Sequence, residues 1–160
     1  MRTGPLIALT LSAAIAGCGG GDGGDDDLSI PGGADPGKVE VIRSWSDDLR
    51  AGEVEAAAGS WEIPSIAQNG TPPLELDSRE DVVTFNEALP CGAKLIEAET
   101  QGEYTVATFE LTERPGAGQC GPGTGETART AFVIEDGKIV EWLRATDGSL
   151  PEPAPEGPIV

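Results

Sequence analysis

Phe132-Val133-Ile134-Glu135-Asp136-Gly137-Lys138-Ile139-Val140-Glu141-Trp142 decides how this chain folds. β-branched and aromatic residues flank Asp136-Gly137 on both sides, and this dipeptide best tolerates the two positive φ angles of a tight hairpin turn. Two paired strands, 127–135 and 138–146, are therefore predicted. Working backwards, residues 94–100 and 103–112 flank Gln101-Gly102, a second hairpin signal. Between the hairpins, 113–126 carries five glycines and two prolines and reads as a loop.

Upstream of the strands the apolar spacing becomes helical. Asp35 can cap a helix and Pro36 suits its first position. Val39, Ile42, Trp45 and Leu49 follow as one apolar stripe, and Gly52 ends the run. A second short helix is expected from Glu53 to about Ser60, with Val54, Ala57, Ala58 and Trp61 on its apolar side. Pro64, Asn69-Gly70 and Pro72-Pro73 make the next stretch irregular. Asn69-Gly70-Thr71 matches a glycosylation triplet and is read as a turn. Ser78 opens a third helix with Asp81 three residues on, a variant of the capping box. That helix is expected to bury Val82, Val83, Phe85 and Leu89 before Pro90 stops it. Helices first and paired strands after make an α+β domain over 38–149.

The two ends differ from this domain. Residues 6–16 are apolar apart from Thr10 and Ser12, behind a single Arg2. About a dozen apolar residues are too short for a ~30 Å hydrocarbon core and suit a removable leader instead. Ile15-Ala16-Gly17-Cys18 resembles the lipobox of bacterial lipoproteins. The resemblance implies a signal peptide over 1–17, a diacylglyceryl group on Cys18, and a place at the cell membrane facing outside the cytoplasm. Two acyl chains anchor stably where one does not. Residues 18–37, rich in Gly and Asp, would form a disordered tether with a reach of ~25 Å or more. The proline-rich stretch 150–160 reads as an extended tail.

Charge and cysteines narrow the function classes. Twenty-eight acidic residues against ten basic ones give a net charge of −18. Nucleic acid, which needs a basic footprint, is not an expected partner. With Cys18 lipidated, Cys91 and Cys120 remain as an even pair in an oxidising compartment and are expected to bridge. Such a bridge is worth about 3 kcal/mol on the loop-entropy argument. The chain contains no His. No metal site or cofactor is expected, because two cysteines fall short of a tetrahedral set.

The order of elements resembles the NTF2-like superfamily, which includes SnoaL-like proteins and ketosteroid isomerases. The likeness is carried by 41–57, by the helix from Ser78 to Leu89, and by the hairpin around Asp136-Gly137-Lys138-Ile139. It implies a cystatin-like cone, with three N-terminal helices on a curved antiparallel sheet and a pocket at the mouth. It nominates Trp45, Trp61, Phe85, Tyr104 and Trp142 as pocket lining, each with a plain alternative as core. It also suggests homodimer formation through the sheet.

Enzymes of this group use a pocket carboxylate or His, often with a Tyr. Glu97, Glu99, Glu103, Glu110 and Asp81 are placed on strands or a helix, but no acid–base constellation can be matched to them. Arg114, Arg129 and Arg144 could pair with Glu97, Glu110 or Glu141 across strands. No catalytic residue is assigned. The expected function is a non-catalytic module that binds a small apolar or amphipathic ligand or a partner. The alternatives are an isomerase, hydratase or cyclase using a pocket carboxylate, and an assembly role through the sheet.

Overall fold

The computed structural model describes residues 33–70, 72–116 and 118–146. The leader, Cys18, most of the tether, Thr71 and the tail 150–160 lie outside these residues.

Helix α1 (Pro36–Ala51) begins where the sequence places it. The Asp35 carboxylate accepts from the backbone N–H of Lys38 at 3.0 Å, and Pro36 occupies the first turn. Its stripe of Val39, Ile42, Trp45 and Leu49 is buried. Gly52 closes the helix at φ 83°, and a Cβ there would also meet Pro115 at 3.2 Å. Two constraints, left-handed backbone and close approach, thus require glycine.

Helix α2 (Val54–Ala58) is shorter than the sequence suggests. Trp61 is not on it; it starts strand β1 (Trp61–Gln68). Pro64 gives the reason, because a proline disfavours helical backbone in the residue before it and removes a donor. The stretch expected to be irregular is therefore largely strand, β1 followed by β2 (Leu74–Leu76). Helix α3 (Arg79–Ala88) carries the expected cap: Ser78 Oγ accepts from the N–H of Asp81 at 3.2 Å and donates to its carboxylate at 2.6 Å. Val82 and Phe85 are buried, whereas Val83 is only partly so.

Strands β3 (Gly92–Gln101), β4 (Tyr104–Thr112), β5 (Thr127–Glu135) and β6 (Lys138–Ala145) form an antiparallel meander. The six strands make one curved sheet in the order β2-β1-β6-β5-β4-β3. The β1–β6 pairing is parallel, so the expected all-antiparallel sheet is corrected at this one place. Alternation shows which face a residue takes but not which way its neighbour runs. Register shifts beside Ile96 in β3 and Val140 in β6 are bulges that bend their strands.

The helices fill the concave side. Trp45 meets Phe109, Phe132 and Trp142 edge-on, with centroids 6.1, 5.6 and 6.4 Å away. Phe85 continues the chain to Trp142 at 5.2 Å and Trp61 at 5.5 Å. Edge-to-face pairs of this kind add about 0.5–1.5 kcal/mol each beyond the area they bury.

Candidate functional site

Where β3 and β5 begin and β4 and β6 end, the aromatic core does not quite close. A cavity of about 90 Å³ remains there. Trp45 and Leu49 of α1 form one wall, and Phe109 and Leu111 of β4 another. Trp142 of β6 and the Leu89-Pro90-Cys91 corner after α3 complete the apolar lining. Its polar groups are Asn69, Thr130 and Arg144. Among the described residues, those lining this cavity include no Asp, Glu or Tyr.

Strand parity explains who lines it. Thr130 and Phe132 of β5, like Trp142 and Arg144 of β6, are two residues apart and so share the concave face. Phe109 shares it too, since it pairs with Ala128 and Leu95. Of the five nominated aromatics, Trp45 and Trp142 touch the cavity. Trp61 and Phe85 pack behind it in the core. Tyr104 is elsewhere. It clusters with Val106, Ala131 and Leu143 on the other side of the sheet. Tyr104 is five residues from Phe109, an odd interval, so strand alternation puts the two on opposite faces. Burial, followed by the charges of Glu141 and Glu103, pushes the Tyr104 phenol up. Burial also raises Glu141, with Glu103 and Glu135 adding to it.

The acidic candidates are remote from the cavity as well. Glu97, Glu103, Glu110 and Asp81 are exposed and Glu99 is half-buried; none lines it. Glu99 instead accepts from Arg129 Nη2 at 2.8 Å and from Gln101. The arginine pairings expected with Glu97, Glu110 or Glu141 do not form. Arg114 is buried and donates to the carbonyls of Asn86, Glu87 and Leu89, at 2.8, 3.2 and 2.7 Å from Nη2. It thus caps the C-terminal end of α3, a use that charge pairing gives no hint of. Arg144 reaches Asn69 Oδ1 at 3.5 Å. It cannot face Glu141, three residues away and on the opposite side of its own strand.

Cys91 and Cys120 are joined by a disulfide beside the cavity. Glu113 organises the same loop. Its carboxylate accepts from the N–H groups of Cys120 and Gly121 and from the Thr124 hydroxyl, at 3.1, 3.0 and 3.0 Å. These bonds hold its carboxyl below the usual value. Among the described residues, no three His, Cys, Asp or Glu side chains converge as metal ligands would.

No protein-family model and no curated protein match the sequence. Solved structures do match the fold. A SnoaL-like protein of Burkholderia thailandensis superposes with a TM-score of 0.54 at 15% identity, over 72% of this chain and 98% of its own. An NTF2-like protein of Cytophaga hutchinsonii gives 0.53 at 12% identity, over 69% and 89%. This is an NTF2-like fold. A candidate polyketide cyclase of Sinorhizobium meliloti shares it, with a TM-score of 0.54 at 14% identity over 66% of this chain and 94% of that one. At these identities the likeness concerns the NTF2-like fold alone. It agrees with the helix order and curved sheet described above.

Proposed function

We propose that the NTF2-like domain is a non-catalytic binding module for a small apolar or amphipathic molecule. We place it outside the cytoplasm, held to the cell membrane by a diacylglyceryl group on Cys18. One observation carries the reading of the domain: the cavity has apolar walls and polar groups, and among the described residues no carboxylate, phenol or imidazole lines it. Proton transfer between carbon and oxygen centres needs such a group within hydrogen-bond reach of the substrate. The anchor rests on the Ile15-Ala16-Gly17-Cys18 motif.

Native mass spectrometry of the protein purified from its own cell envelope tests both parts. A bound small molecule and a diacylglyceryl mass on the N-terminal Cys are expected. A Cys18→Ser variant should leave the membrane fraction. Steady turnover of an organic substrate, abolished by one Asp or Glu to Ala change, would overturn the non-catalytic reading in favour of an isomerase, hydratase or cyclase.

A further inference from the structure

We infer that the molecule taken up by the domain is a short aliphatic carboxylate, its anionic end on Arg144 and its chain in the cavity. The inference rests on the binding-module reading and specifies its ligand. In a chain with 28 acidic and ten basic residues, arginines find carboxylates easily. Arg43, Arg50, Arg79 and Arg129 each do so, at 3.0, 2.7, 3.1 and 2.8 Å. Arg114 is engaged on backbone carbonyls. Arg144 differs from all of these. Among the described residues it forms no ion pair, and its one side-chain hydrogen bond is the long approach to Asn69 Oδ1 at 3.5 Å.

Its position gives that difference a use. Arg144 lies two residues beyond Trp142 on β6, on the concave face, and lines the cavity that Trp142 also lines. It borders a second, adjoining surface groove of about 290 Å³ with Ala128 and Arg129, which leaves the guanidinium open to solvent on its outer side. Trp142 is buried, and its indole N–H has no acceptor among the described residues. Arg144 thus brings positive charge, beside the polar side chains of Asn69 and Thr130, to a cavity with otherwise apolar walls. A cationic ligand would face Arg144. A neutral one would leave the planar guanidinium fork unused, although its two parallel N–H groups match a carboxylate.

Size sets the chain length. An engineered cavity of ~150 Å³ holds the six carbons of benzene, so about 90 Å³ suits an aliphatic chain of roughly four carbons beyond the carboxylate.

The test titrates the full chain with pentanoate and with its neutral counterpart pentanamide. Binding is read by calorimetry and by the fluorescence of Trp45 and Trp142. Pentanoate is expected to bind about tenfold more tightly, the size of one charge-assisted hydrogen-bonded contact. Arg144→Gln, a change at an exposed side chain, should bring the two ligands level. If pentanamide binds the unaltered protein as tightly as pentanoate, carboxylate recognition is wrong and the binding module stands. If Arg144→Gln keeps the preference, the anion sits elsewhere and the proposal falls. If neither compound binds, the proposal falls, and the envelope-purified protein decides separately whether any ligand is carried.

Discussion

The indole N–H of Trp45 donates to the side-chain oxygen of Asn86 at 3.1 Å, joining α1 to α3 inside the core. Trp45 is 2% exposed and Asn86 not at all. The bond fixes the ring around which Phe109, Phe132 and Trp142 pack, and so fixes one wall of the cavity. Asn86→Leu removes the acceptor and leaves a buried donor without a partner. A loss of about 1–3 kcal/mol is expected from urea unfolding. A change below about 0.5 kcal/mol would show that the ring is held by shape alone.

Arg114 should matter more to stability than any exposed arginine. Its fork closes the carbonyl end of α3, where no other side chain of the described residues caps the helix. Arg114→Met keeps much of the stem but strands those carbonyls. The expected cost is about 2–3 kcal/mol in chemical denaturation, with Arg114→Lys intermediate because an ammonium cannot span them all. Arg50→Met, on an exposed pair, should change stability by less than about 0.5 kcal/mol.

The Cys91–Cys120 bridge and Glu113 hold one loop by two means. The bridge spans 29 residues of sequence, and the double change to Ser should cost about 3 kcal/mol in thermal unfolding. Adding a reductant to the unaltered protein should reproduce that loss.

Glu113 adds a dependence on pH. Its folded carboxyl is held down by the N–H groups of Cys120 and Gly121 and by Thr124. Its contribution is therefore present above the ordinary value of 4.5 and is lost as pH falls through the depressed folded one. Melting curves of Glu113→Gln and the unaltered protein should differ at pH 7 and converge in acid. A constant gap at all pH values would contradict the bonding described.

Glu141 has the opposite sign. Burial, Glu103 and Glu135 raise its folded value, so its ionised form weakens the fold at neutral pH. Glu141→Gln should stabilise the protein at pH 7 by up to about 0.5 kcal/mol, and the gain should vanish as pH falls below 4.5. Thermal melts at both pH values check it.

The meander and the caps were legible because they depend on neighbours in sequence. Asp136-Gly137 dictates its turn, Asp35 and Ser78 cap as their chemistry requires, and the stripe through Val39, Ile42, Trp45 and Leu49 faces the core. The cavity was half legible. Trp45 and Trp142 were nominated through the family resemblance, together with Trp61, Phe85 and Tyr104, which do not line it. Thr130, Phe109 and Arg144 needed the parity of each strand counted from Trp142 or Phe132, and the same counting excludes Tyr104. Asn69 and the α3 carbonyls under Arg114 meet their partners 75 and 25–28 residues away. No local pattern encodes such meetings. The parallel β1–β6 contact is of the same kind, settled only when β6 arrives beside β1.

Gly33 pairs with Glu99 near the turn end of β3, whereas Ala93, at the strand's beginning, lines the cavity. Six residues of strand separate them, or about 20 Å. α1 leads from the first of these places to the second, its Leu49 reaching the cavity. Gly33, where the described residues begin, and the cavity therefore stand at opposite ends of β3. An anchor ahead of Gly33, as proposed above, attaches at the end of the strand remote from the cavity.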